Sequence, residues 1–341
     1  MSGLYLPSGF LNVPYIDALA DRNGITFIVL IGGRQVGKTY GALKLMLDND
    51  RRFILMRRTQ PEADFITGDA VNPFLALGRF DVHAKKETEY TGKIIKGEEP
   101  DAETIGLTMA LSTVAKIRGF SGAVYTDVIF DEFIPERHIV KIKDEGEAFL
   151  NAYVTINGNR ELNGEPPVKF WLLANANDIT NPILQRLQLG DRVERMAWKG
   201  QELSVLPERS IILALPKSDA IMKRRKETAL IKAIGTDSDF YGMAYQNDFA
   251  YNDRENVQYI DLTGWRPILS VKGRFTVHGK NGKYYVSAYV PNALTEYAPT
   301  AGQAARILQR YPDIRAFAIR GKFIYQTLII KEDFLSFFKV Y

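Results

Sequence analysis

The amino-acid sequence predicts an α/β fold: a mostly parallel sheet with helices on both faces, then a helical linker and a small α+β domain. Three observations predict it. Over the first 200 residues, near-continuous apolar runs of strand length alternate with helically spaced apolar residues, the pattern of strands buried on both faces. After about residue 200 the chain turns helical and basic, with Lys223-Arg224-Arg225-Lys226 inside the segment 218–234. From Glu255 on, short alternating segments are separated by glycine turns. The expected division is 1–200, 201–250 and 251–341.

Each element follows from its residues. Ile25 to Ile31 is apolar almost throughout and ends in glycines, so it reads as the first buried strand. Tyr40, Leu43 and Leu47 then recur at helical spacing. Phe53 to Met56 reads as a second strand. His83 to Leu111 reads as a hairpin excursion turning at Thr91-Gly92 and Gly97-Glu98. Val128-Ile129-Phe130, Lys169 to Leu173 and Ile211 to Leu215 supply further buried strands. In the last part, strands are expected at 257–260, 274–277 and 284–289, with Lys280-Asn281-Gly282-Lys283 as a hairpin signal. A helix at 303–309 and strands at 315–319 and 323–330 complete it.

Composition excludes several classes. Apolar residues make up 46% of 341, and charged residues 25%, as in globular proteins. The absence of cysteine removes disulfides, thiolate zinc sites and cysteine nucleophiles. The first residues carry no basic segment followed by an apolar run, and the densest apolar stretch, Phe27–Ile31, falls far short of the about 20 residues that cross a bilayer. The expectation is a soluble intracellular protein without a membrane partner. Residues 251–341 hold 13 basic and 7 acidic side chains, a net +6, while the rest of the chain is −2. Such a basic end fits an anionic partner such as nucleic acid, or simply a solvated face.

Gly32-Gly33-Arg34-Gln35-Val36-Gly37-Lys38-Thr39 fits G-x-x-x-x-G-K-[ST], between a buried strand and a helix. In that setting the loop N–H groups and the helix N-terminus cradle phosphates, with Tyr40 next in line. Lys38 reaches the β/γ oxygens and Thr39 binds Mg²⁺. This is the P-loop pattern. It calls for a second metal ligand on a neighbouring strand, and Val128-Ile129-Phe130-Asp131-Glu132 offers one. Asp131 would hold Mg²⁺ through water and Glu132 would act as general base on the attacking water. The adjacent glutamate selects the additional-strand, catalytic-glutamate class of P-loop ATPases. A GTPase would read guanine through N-K-x-D, whereas the nearest segment here is Asn175-Ala176-Asn177-Asp178. ATP is therefore expected. Asn175, ending a strand, suits a sensor of the γ-phosphate, or a turn residue. Arg160, on a polar loop, suits an arginine inserted into a neighbouring subunit's site, worth roughly 10³–10⁵ in rate, or a solvated loop charge.

Several blocks in order extend this pattern. They are Ile31 to Tyr40, Met56-Arg57-Arg58 with Pro61-Glu62, and Val128 to Ile134. Asn159-Arg160-Glu161 and Leu173-Ala174-Asn175-Ala176 with Asn181-Pro182 follow, then Arg224-Arg225-Lys226, Gly235-Thr236, Tyr241-Gly242-Met243 and Asn247-Asp248-Phe249. Together, over residues 25 to about 255, they resemble the genome-packaging ATPases of small short-tailed phages, the picovirus group, relatives of the large terminase ATPases. The resemblance implies a homo-oligomeric ring, a pentamer, docked on the portal (connector) of a procapsid in the host cytoplasm and driving double-stranded DNA inward. It implies a lid-like linker near 200–250 and an RNase H-like C-terminal domain without catalysis. In some relatives a structural RNA joins motor and capsid. The family can carry a basic residue before the proline of the Arg-Arg block, where this chain has Gln60.

The residues of 256–341 speak to the nuclease question independently. Of Asp261, Glu296, Asp313, Glu332 and Asp333, only Asp261, at an expected strand end, is placed to join a two-metal site. No nuclease activity is expected. The chemistry alone also admits a helicase-type ring ATPase, or a P-loop kinase or switch. For DNA contacts the sequence offers Lys116 and Arg118, or the Lys223–Lys226 run.

Overall fold

A computed structural model describes residues 3–68, 72–98, 100–117, 122, 124–136, 139, 142–235, 255–291, 294 and 296–340. They fold as two compact units, one comprising Met1–Leu187 and Met196–Tyr251, the other Gln188–Arg195 and Asn252–Tyr341. The expected blocks at 236–249 and Arg118 lie outside the described residues.

The strands of the first unit are β1 (Phe27–Ile31), β2 (Phe53–Arg57), β3 (Val82–Lys86), β4 (Thr91–Lys96), β5 (Glu103–Ala110), β6 (Asp127–Asp131), β7 (Lys169–Ala174), β8 (Leu203–Leu206) and β9 (Ile211–Ala214). Its helices are α1 (Val13–Arg22), α2 (Lys38–Asp48), α3 (Gln60–Ile66), α4 (Glu145–Asn157), α5 (Pro182–Arg186), α7 (Asp219–Lys226) and α8 (Ala229–Ile234), while α6 (Gly190–Lys199) has its first six residues in the second unit. The strand order is β3-β4-β5-β2-β6-β7-β1-β9-β8. From β5 to β9 every neighbouring pair is parallel; antiparallel β8 closes one side and the β4-β3 hairpin the other. The mostly parallel sheet was expected. The acid was expected on the strand next to the loop; instead β7 lies between β1 and β6, as the additional-strand class requires, so Asp131 does not sit on the strand beside the Gly32 loop.

Burial on both faces explains the continuous apolar runs. Ile28 and Leu30 pack in one cluster with Ile16, Ala20, Leu43 and Met46 of α1 and α2. On the other face Phe149 of α4 meets Phe170 edge-on at 6.0 Å and Phe130 at 6.4 Å. At the N-terminal end of the sheet, the fully buried Trp171 donates its indole N–H to Asp127 at 2.9 Å, holding β6 and β7 in register. The hairpin excursion is present, but Thr91-Gly92 begins β4 and the turn precedes it. The expected helix 218–234 breaks at Glu227-Thr228 into α7 and α8.

The second unit carries a five-stranded sheet in the order β13-β10-β11-β12-β14, with β10 (Arg266–Val271), β11 (Phe275–Lys280), β12 (Lys283–Ser287), β13 (Glu296–Tyr297) and β14 (Phe323–Tyr325). The Asn281-Gly282 hairpin forms as expected, with Lys280 opposite Lys283. Three expectations fail here. Residues 257–260 contribute only a bridge from Val257 to Tyr325, and Asp261 lies in an exposed turn accepting from the Thr263 backbone at 3.1 Å. Residues 315–319 belong to helix α10 (Ile314–Ile319), because the chain restarts after Pro312-Asp313 and packs Phe317 on Tyr284. The strand at 323 stops at Tyr325, since Thr327 caps the Ile330 N–H at 3.2 Å and opens α11 (Leu328–Phe338). Helix α9 (Ala301–Arg310) matches the expected 303–309. Among the described residues no helix is long and apolar enough to cross a membrane.

Candidate functional site

Parallel strands deliver their C-terminal ends to one edge of the sheet, and the sequence-selected residues sit there. β1 ends at Ile31 and the chain enters the loop Gly32–Gly37. The Gly32 N–H donates to the Ala174 carbonyl at 3.1 Å, tying the loop to β7. Two glycines are required. A Cβ on Gly32 would sit 2.8 Å from Pro216 Cγ and 2.9 Å from its carbonyl oxygen. Gly37, at φ +94°, caps α2 in the left-handed region that side chains avoid. Gln35 also has positive φ, at 59°. Val36 is buried, and its carbonyl accepts from the Leu11 N–H at 2.9 Å.

Lys38 opens α2 and is only 7% exposed. Its ammonium donates to the Gly32 and Gly33 carbonyls at 2.9 and 2.7 Å and reaches Asn175 Oδ1 at 3.4 Å. Burial pushes this amine down to about 8; Asp131 and Glu132 oppose the shift and Arg34 adds to it. Thr39 Oγ1 donates to Asp131 Oδ1 at 2.9 Å. These side chains, with Arg34, Tyr40 and Glu132, line a cavity of about 330 Å³. Arg34 is ion-paired with Glu136.

Glu132 follows β6 at φ +58°, with its side chain 64% exposed. The turn is locked behind it. Phe133 is fully buried and its N–H bonds the Leu173 carbonyl at 3.2 Å. Asn181 donates to the Phe133 carbonyl at 3.3 Å while accepting from Ile183 at the start of α5. The Asn181-Pro182 block therefore holds the carboxylate turn.

The sequence motif assigns Arg57 no role. It ends β2, in register with β6, and its Nη1 donates to Glu132 at 2.8 Å and lies 3.5 Å from Asp131. A basic residue closing the strand beside the acidic one was the available signal. The structure does not bring Arg160 to this cluster. Arg160 donates to the Tyr125 carbonyl at 2.7 Å, ahead of β6 and so at the opposite end of the sheet. Seven residues of extended chain from Tyr125 to Glu132 put it about 20 Å away. Lys116 lies over the Tyr90 ring at 5.1 Å, and Arg224 of α7 donates to the Ser8 carbonyl.

The donor set tests what this cavity could hold. A buried ammonium whose hydrogen bonds go to neutral oxygens, on a glycine loop that opens a helix, fits an anionic phosphate chain. A threonine hydroxyl and a carboxylate oxygen side by side fit a small hard cation. Both groups match Mg²⁺-nucleotide chemistry. Elsewhere, among the described residues, no cluster of three or more His, Asp or Glu side chains is arranged to hold a metal.

Comparison with known proteins follows from this geometry. The family model of the podovirus DNA encapsidation protein (Gp16) matches residues 15–264. A DNA packaging protein of Bacillus phage B103 is 28% identical over 236 residues, spanning 66% of this chain and 64% of that relative's own length. A chain of the bacteriophage Phi-29 viral genome packaging motor assembly superposes with TM-score 0.64 at 17% identity, covering 99% of each chain. The Phi-28 gp11 DNA packaging motor gives TM-score 0.55 at 15% identity, over 92% of this chain and 94% of that one. At these identities the two structures establish likeness of fold.

Proposed function

This chain belongs to the podovirus DNA encapsidation protein (Gp16) family, and from that premise we propose that it is an ATP-hydrolysing ring subunit that drives double-stranded DNA into a procapsid through the portal. One observation carries the enzymatic part. Lys38, Thr39, Asp131, Glu132 and Asn175 converge on a single cavity at the carboxyl edge of a parallel sheet. The inserted β7 supports the additional-strand class of P-loop ATPase.

In this reading the Gly32–Tyr40 segment binds the phosphates of ATP through its N–H groups and the α2 N-terminus. Lys38 neutralises the β/γ oxygens. Thr39 and Asp131 would hold Mg²⁺, which supplies charge neutralisation on the transferred phosphoryl group when bound. Glu132 takes the proton of the attacking water, and Asn175 touches the γ-phosphate or that water. Arg57, hydrogen-bonded to Glu132 and ion-paired with Asp131, is a positioning residue for Glu132. Arg160, remote from its own subunit's cavity, serves the neighbouring subunit's site in a pentameric ring. The Lys223–Lys226 run and the basic C-terminal unit are the candidate DNA contacts. That unit is read as RNase H-like and without nuclease activity. A structural RNA is a further candidate partner, and the site of action is the portal vertex in the host cytoplasm.

The test is a pair of variants. Lys38→Ala should lose ATP binding, because it deletes the buried ammonium. Glu132→Gln should bind ATP and fail to turn it over. Near wild-type hydrolysis by Glu132→Gln would overturn the assignment of the base.

A further inference from the structure

A second and larger cavity adjoins the phosphate loop. We propose that its loop-proximal end, walled by Phe10 and Tyr40, is the nucleoside subsite, where the base of the bound nucleotide stacks. This deepens the reading above and rests on it. The groove has a volume of about 1120 Å³ and runs between α1 and α2. It shares Gln35, Gly37 and Tyr40 with the 330 Å³ cavity, so the two are continuous across the first turn of α2. A triphosphate seated on Lys38 is bounded on one side by Asp131, Glu132 and Asn175. Its nucleoside end therefore leaves over Gly37 and Tyr40, into the groove.

The loop-proximal end of the lining suits an aromatic ring. Phe10 and Tyr40 are 40% and 49% exposed, large side chains left open at the groove mouth. The Phe10 ring packs on the start of α2: its Cδ1 lies 3.4 Å from where a Cβ on Gly37 would be. Farther along, the groove is lined by Asp17, Asp21 and Asp48 together with Arg225 and Lys44, which pairs with Asp48 at 2.8 Å. Every base offers a π-face, so stacking on two aromatic walls binds without reading base edges.

Phe10 is held in advance of any ligand. The Leu6–Phe10 hairpin closes through the Leu6 N–H to the Phe10 carbonyl at 2.8 Å. The Leu11 N–H then joins it to the phosphate loop at Val36. From the other side Ser218, which caps α7, donates to the Gly9 carbonyl at 2.6 Å, and the Arg224 guanidinium carbon stands 5.6 Å from the ring centroid. A wall fixed this way costs little ordering on binding.

The experiment titrates the full chain with Mg²⁺-ATP and with Mg²⁺-tripolyphosphate, an inorganic probe lacking the nucleoside. Phe10→Ala should weaken ATP by about 5- to 150-fold, the range for one lost base–aromatic stack, and leave tripolyphosphate within twofold. Phe10→Trp should keep ATP affinity within threefold, and its added emission should change with ATP but not with tripolyphosphate. Equal weakening of both probes by Phe10→Ala would make Phe10 a prop of the loop and overturn the proposal. So would an indole at position 10 that is blind to ATP. Failure of the wild-type chain to bind either probe would instead sink the nucleotide-binding reading itself.

Discussion

Arg57 closes β2 and Arg58 follows it, and Arg58 makes a sharp prediction about stability. Arg58 and Glu145 have side chains 2% and 3% exposed and are joined by one bond from Nε to Oε1 at 2.6 Å. Both remaining guanidinium nitrogens of Arg58 are buried without a hydrogen-bond partner among the described residues. Removing one member strands a buried charge, which costs about 3–5 kcal/mol. The first unit holds roughly 240 residues, for which 1 kcal/mol moves the melting temperature by about 2 °C. Arg58→Met and Glu145→Leu should therefore each lower melting by about 6–10 °C in scanning calorimetry. The double variant removes both charges and the two orphaned nitrogens and refills the space with apolar groups. It should melt within about 2 °C of wild type, or above it. A double variant that melts at the sum of the two losses would show that the residues do not act as a pair. A single-variant shift under 2 °C would refute the buried-charge argument.

Two further predictions use other parts of the fold. If Arg160 serves the neighbouring site, a mixture of Arg160→Ala and Glu132→Gln subunits should recover ATPase activity at interfaces where both intact residues meet; full activity of a dilute monomer would remove the idea. In the second unit, burial holds the His278 imidazole below its ordinary range, and the ring bonds Ser287 at 2.9 Å. The unfolded chain thus takes up a proton as pH falls through about 6.5 while the folded one resists. The contribution is complete above that pH and drains below it, so His278→Gln should flatten the loss of stability between pH 7 and 5.5, and equal slopes in urea titrations would contradict this.

What the sequence disclosed was local chemistry with a short reach. The run Ile25 to Thr39 was legible because burial on both faces, a glycine loop and a helix start are encoded within fifteen neighbouring positions. Asp131 and Glu132 were legible as acids ending an apolar strand. An extra strand was implied by the additional-strand class, but which strand it is was not legible, because nothing in Lys169 to Ala174 says that it inserts between β1 and β6; that depends on pairing with β1 across more than a hundred residues. Arg57 escaped for the same reason, its role existing only once β2 lies beside β6. Phe10 lies 27 residues before Gly37, and no periodicity links them. The C-terminal errors had a different cause. Arg315 to Ile319 alternates large and small side chains with a period of two, as the two faces of a strand would, yet the Asp313 start and the seat on Tyr284 make it a helix. Leu328-Ile329-Ile330 reads as strand by its β-branched content, and the Thr327 cap overrides it.

The central claim is that the Lys38–Glu132 cavity hydrolyses ATP to move duplex DNA. The steady-state ATPase rate of the full chain with duplex DNA, with single strands and without DNA tests it most directly. The account predicts hydrolysis that rises with duplex DNA of any sequence, less with single strands, and that vanishes in Lys38→Ala. Hydrolysis that ignores DNA, follows single strands alone, or proceeds only when a small-molecule phosphate acceptor is added would contradict it.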